Sequence, residues 1–94
     1  MEGNIALRVG GKTAPGLLKS SIVGHIKSGK TVQIDSIGVE ANYIATKGLI
    51  LARGQLAVYG ITLVMAPGFQ ELRMENSVEN DIKTAIRWIV KGTT

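Results

Sequence analysis

Gly24-His25-Ile26-Lys27-Ser28-Gly29-Lys30-Thr31 has the spelling of a phosphate-binding loop: a glycine, four residues, then Gly-Lys-Thr. How it is read decides the fold. In a nucleotide-binding loop the chain leaves a strand, wraps phosphate with backbone N–H groups and enters a helix at the Lys-Thr pair. Here the order runs the other way. Upstream, Leu17, Leu18, Ser21, Ile22, His25 and Ile26 recur at spacings of three and four, which predicts an amphipathic helix over 15–28 with Lys19 and Lys27 on its opposite face. Ser28-Gly29 is its stop signal. Downstream, Thr31 to Ile37 reads as a strand. The donors at a helix C-terminus are already used, and the dipole there disfavours anions. Asp35 follows Lys30 too closely to admit the helix that separates a magnesium aspartate from such a lysine. The stretch is a helix-to-strand turn, not an ATP or GTP site. Gly11-Lys12-Thr13 fails the same pattern, because Ala6 stands where the first glycine is needed.

Working outward, Ile5, Leu7 and Val9 alternate with Ala6 and Arg8 as a half-buried strand does. Gly10 to Gly16 breaks it, with Thr13 placed to cap the helix and Pro15 in its first turn. Beyond Gly38, residues 40–53 form a second helix with Ala41, Ile44, Ala45, Gly48, Leu51 and Ala52 on one side, ended by Gly54. Its small residues suggest close contact with a sheet. Ile61 to Ala66 is a strand, which Glu71 to Glu75 extend past a kink at Pro67-Gly68. Asn76 to Asp81 is a polar turn and Ile82 to Val90 the last strand. The order β-α-β-α-β-β predicts an α/β two-layer sandwich, a four-stranded mixed sheet with two helices on one face and the first two strands parallel.

At 94 residues this is one domain, 1–94, small enough to make an oligomer plausible. Hydrophobic residues reach 45%, yet Trp88, Tyr43, Tyr59 and Phe69 are the only aromatics, so the core is aliphatic. Trp88 reads as core or dimer interface, and Phe69 as a plug at one end of the core. Neither cysteine nor a histidine other than His25 is present, which argues against disulfides, thiolate chemistry and a protein-only zinc site. No apolar run spans a bilayer and no signal peptide is recognisable, so a cytoplasmic protein is expected, with no membrane partner. His25 has no nucleophile or carboxylate at a recognisable spacing, and Glu71, Glu75, Glu79 and Asp81 lack the calcium-loop pattern. No catalytic residue, metal or cofactor is assigned, and the chain does not read as an enzyme.

The net charge of +4 sits entirely in residues 1–34, where Arg8, Lys12, Lys19, Lys27 and Lys30 face Glu2 alone; the rest of the chain is balanced. Such asymmetry steers a polyanion, or it merely keeps a small domain soluble. Lys12 is the strongest candidate. Gly11, Lys12 and Thr13 offer flexible backbone donors and an ammonium just before a helix N-terminus. A solvated loop lysine explains the same residues equally well. Lys19 lies one turn further on. Lys47 falls beside the apolar stripe of the second helix, Arg53 at its end, where a cation also suits the dipole, and Arg73 precedes the polar turn. Arg87 and Lys91 read as charges that solubilise an edge strand. Two tyrosines make no stacking platform, so any nucleic acid is held through phosphates with weak sequence discrimination.

Taken together, Leu7-Arg8-Val9 with Lys12 and Pro15, Ile34 and Ile37-Gly38, Lys47 and Ile50 to Gly54, Pro67, Phe69 and Thr84-Ala85-Ile86 resemble the stage V sporulation protein S family, small proteins with an Alba-like fold. The match runs over about 85 residues in order and spacing. Tyr43-Ile44 stands where family members carry Asn-Gln, and 76–83 looks a few residues longer than usual. The resemblance implies a homodimeric regulator of sporulation or development that acts through DNA or RNA. It places Lys12 in Gly10–Pro15 as chief phosphate contact, with Gly11 and Thr13 in the same loop, Lys47 and Arg53 in matching stretches, and an arm at about 71–81 that holds Arg73; Lys19 is a candidate by its position alone and is not part of the family pattern. That arm is acidic, so it is expected to turn away from phosphate or serve protein contacts. The alternative function is a self-assembling structural or adaptor protein that binds a protein partner.

Overall fold

The alternation of Ile5, Leu7 and Val9 becomes strand β1 (Asn4–Val9) in the computed structural model, which describes residues 3–73 and 82–94. Helix α1 (Pro15–Lys27), β2 (Thr31–Ser36), α2 (Val39–Ala57), β3 (Thr62–Arg73) and β4 (Ile82–Thr93) follow, in the order expected. The sheet runs β1-β2-β4-β3, with β1 and β2 parallel and the β2–β4 and β4–β3 pairs antiparallel. One face receives both helices. Val9, Val32, Ile34, Leu63 and Val90 form a single cluster there with Leu18, Ile22, Val23 and Ile26 of α1 and Ala45, Leu49, Ala52 and Leu56 of α2. The core is aliphatic, with Trp88 half-buried against it.

The turn at Gly24–Thr31 has the inverted order that excludes a nucleotide loop. Gly29 takes a φ of 84°, its N–H donates to the Ile26 carbonyl at 3.0 Å, and the Lys30 N–H donates to the His25 carbonyl at 3.0 Å. These two bonds are the left-handed glycine cap that closes a helix, and they use the donors that phosphate would need.

Several expectations are corrected. Helix α2 does not stop at Gly54 but runs to Ala57. A mid-helix glycine costs about 1 kcal/mol, whereas full burial of Leu56 returns about 2 kcal/mol, so the helix continues. Its stop is Gly60, at φ 75°, where the Gly60 and Ile61 N–H groups donate to the carbonyls of Ala57 and Leu56. Leu51, expected on the buried side, is exposed, and Leu49 is buried in its place. The small residue Gly48 meets the other helix rather than the sheet: a β-carbon there would lie 2.6 Å from Leu18 Cδ2. Leu17 is exposed, because Leu18, Ile22 and Ile26 set the buried stripe and Leu17 sits about 100° off it.

Pro67-Gly68 makes no break in β3, whose ladder with β4 runs unbroken from Thr62 to Arg73. Strand β3 is an edge strand, so it can carry a proline with no N–H to donate. Phe69 plugs nothing; it is 82% exposed, outermost in the last row that β1 and β2 share. Strand β4 continues past Val90 to Thr93 and lies between β2 and β3, so Arg87 and Lys91 are not on an edge.

Candidate nucleic-acid interface

Direction in the sheet gathers the candidate residues. Helices α1 and α2 each begin at the C-terminal end of a strand, β1 and β2 respectively, and those strands run parallel in adjacent positions. Both helix N-termini therefore lie at one edge of the sheet, together with the Gly10–Ala14 loop. The positive ends of two helix dipoles point to that edge.

The loop is closed from within. The Thr13 N–H donates to the Gly10 carbonyl at 3.2 Å, and the Gly10 N–H donates to Thr13 Oγ1 at 3.0 Å. Thr13 is thus not the cap of α1. That position belongs to Ala14, which has no side chain to offer, and no acidic residue occupies the first turn. Pro15 has no N–H, and the Gly16 and Leu17 donors face no capping side chain. Anion-accepting groups are left open beside Lys12, which is exposed and has no ion-pair partner among the described residues.

The other end-of-strand loop brings a carboxylate. Glu40, in the first turn of α2, lies against Gly11: a β-carbon at Gly11 would stand 3.0 Å from Glu40 Oε1. Glycine at 11 is what lets the two loops approach. Gly11, Val39, Glu40, Tyr43 and Ile44 line a groove of about 470 Å³ between them. Nothing in the sequence announces Glu40, because its place against Gly11 depends on the parallel pairing of β1 and β2.

The remaining candidates spread along the molecule. Lys19 is half-buried on α1, just over one turn from Pro15 and at the same edge. Lys47 is exposed at mid-α2, with its ammonium 6.0 Å from the Tyr43 ring centroid. Arg53 lies fourteen residues into α2, about 21 Å along the axis from Val39 at 1.5 Å per residue, so it does not join the Lys12 loop. It is not at the helix end either, and instead lines a cleft of about 280 Å³ with Gly54, Ala57, Gly60 and Thr62. Arg73 ends β3 on the ribbon that outruns β1 and β2 at the Lys12 edge. Of the expected arm, residues 74–81 lie outside the described residues, and with them Glu75, Glu79 and Asp81. Lys27, free in the sequence reading, stacks 3.9 Å above the Tyr59 ring and ties the end of α1 to the turn after α2.

Asp35 is the second residue whose role the sequence concealed. It is buried on the sheet face that carries no helix, and both its oxygens accept from Arg87: Nε at 2.8 Å and Nη2 at 2.9 Å. No helix of the described residues is long and apolar enough to cross a membrane. Across this whole arrangement, residues 5–93, the chain matches the family model described as Stage V sporulation protein S (SpoVS).

Proposed function

We propose, on the premise that the chain belongs to the stage V sporulation protein S family, that it is a non-enzymatic, homodimeric regulator that binds nucleic acid mainly through phosphates. The family's name ties it to sporulation. The observation that carries the reading is the Gly10–Ala14 loop, which sets Lys12, without an ion-pair partner among the described residues, beside a helix N-terminus that has no side-chain cap and no acidic residue in its first turn. Backbone donors, a dipole and an ammonium then converge where a phosphate oxygen would sit. Lys19 adds charge at the same edge, and Arg73 leads a ribbon that reaches past it.

A second copy has a natural seat. Val39, Tyr43 and Ile50 fall within about 40° of one another on α2, roughly opposite its buried stripe, and all three are exposed. A helix apolar on two sides calls for a cover on both. The same stripe favours the second reading, an adaptor that holds a protein partner.

Fluorescence anisotropy of labelled duplex DNA, single-stranded DNA and RNA between about 20 and 200 mM salt separates the two, because phosphate contacts lose affinity steeply over that range. Salt-steep binding to one probe supports the reading and names the substrate. Absence of binding at low salt overturns it in favour of the adaptor.

A further inference from the structure

The sheet face away from the helices has no element packed on it among the described residues, and its charges follow an order. Arg8 on β1 is in register with Asp35 on β2, and Asp35 with Arg87 on β4, so the three form one row. All alternate with core residues and point away from the helices. Asp35 is the only carboxylate this face carries among the described residues, and Arg87 binds both its oxygens. The pair cancels. Lys83 lies on the same face nearer the start of β4; the other cations are Arg8 and, four residues down β4 from Arg87, Lys91, both exposed and without an ion-pair partner among the described residues. Between them the row Ala6–Gln33–Ile89–Ala66 carries no charge, with Ile89 exposed at its centre.

We propose that this open sheet face is a second contact surface for a nucleic-acid backbone, continuing the track that starts at the Lys12 loop; the proposal rests on the phosphate-binding reading above. Charge complementarity is the argument. Among the described residues, every carboxylate that would repel phosphate is either neutralised, as Asp35 is, or on the helix side, as Glu40 and Glu71 are. Arg8 stands two residues before the loop that holds Lys12. Arg8 and Arg87 are two strand spacings apart, about 10 Å, and Lys91 is about 14 Å further along β4, distances that reach separate phosphates. The face has no aromatic side chain, since Trp88 points to the helices, so it holds backbone and does not stack bases.

The test is the double variant R8Q/K91Q alongside K12E, titrated with fluorescein-labelled duplex and single-stranded DNA and with labelled RNA across about 20 to 200 mM salt. Both residues are exposed and without an ion-pair partner among the described residues, so circular dichroism and light scattering should match the wild type. The expected result is at least about tenfold weaker binding at low salt, with a log–log salt slope shallower by about 1.4 to 1.8 for two lost phosphate contacts. Wild-type affinity and slope in R8Q/K91Q, with binding lost in K12E, would overturn the sheet-face proposal and leave the Lys12 reading standing. A changed oligomeric state in R8Q/K91Q would also overturn it and make the face an interface between copies. Wild-type protein that binds no probe removes both readings.

Discussion

Arg87 clamps Asp35 with two parallel hydrogen bonds, 2.8 and 2.9 Å long, across the β2–β4 pair and 52 residues of chain. The partners are unequal: the carboxylate side chain is 8% exposed and the guanidinium 26%. The hydrogen bond to Asp35 raises the Arg87 pKa above the ordinary guanidinium value, against a smaller opposing effect of burial and with further help from the carboxylate's charge. A raised folded value means that this contribution to stability is complete below the ordinary guanidinium value and is lost only as pH climbs past the folded value.

The asymmetry sets the order of two substitutions. Arg87→Ala strands a buried carboxylate and is expected to cost about 3 kcal/mol, while Asp35→Ala leaves a guanidinium that turns to water and costs about 1 kcal/mol. Urea unfolding of both variants measures this. Equal losses would show that Asp35 is not the desolvated partner.

Lys12→Glu places a carboxylate at the open end of α1, where phosphate is expected. Affinity for the preferred nucleic acid should fall by more than about tenfold at 50 mM salt with the thermal midpoint unchanged, since the side chain touches nothing in the core. Anisotropy together with a melting curve checks both halves. Unaltered binding sinks the Lys12 reading.

Glu40, in the first turn of α2 against Gly11, would oppose the phosphate proposed at that loop. Removing its charge with Glu40→Gln should tighten binding about two- to fivefold. It should also cost about 0.5 kcal/mol of stability, because a carboxylate in the first turn of α2 complements the dipole there. Titration and denaturant unfolding should move in opposite directions; a loss of affinity would place Glu40 outside the site.

Two helical glycines should respond oppositely to alanine. At Gly48 the new methyl meets Leu18 Cδ2 at 2.6 Å and Cγ at 2.9 Å, so Gly48→Ala is expected to cost about 1–2 kcal/mol even after its gain in helix propensity. At Gly54 nothing lies within 4 Å, and Gly54→Ala should add about 0.5–1 kcal/mol. Thermal unfolding compares them directly.

Period and punctuation carried most of the architecture. The alternation of Ile5, Leu7 and Val9, the three-and-four spacing of Leu18, Ile22 and Ile26, and the glycine after Ser28 are local signals, and each sits in the element it predicts. Where local signals compete the sequence misleads. Gly54 looks like a helix stop, but burial of Leu56 overrides it and Gly60 takes the cap. Pro67 looks like a kink, but its tolerance depends on β3 being an edge, which is a fact of strand order.

The sequence by itself determined the element order, the aliphatic core, the inversion that disqualifies Gly24–Thr31 as a nucleotide loop, and Lys12 as a cation in a glycine loop before a helix. Those follow from interactions over three or four residues, where backbone geometry alone decides what faces what. Only the tertiary structure decided that Glu40 lies on Gly11, that Arg53 stands far from Lys12, and that Asp35 is silenced by Arg87. Each depends on which strands neighbour one another and in which direction they run. That order is chosen by burying the aliphatic residues of all six elements in one cluster, a sum over the whole chain that no single stretch contains.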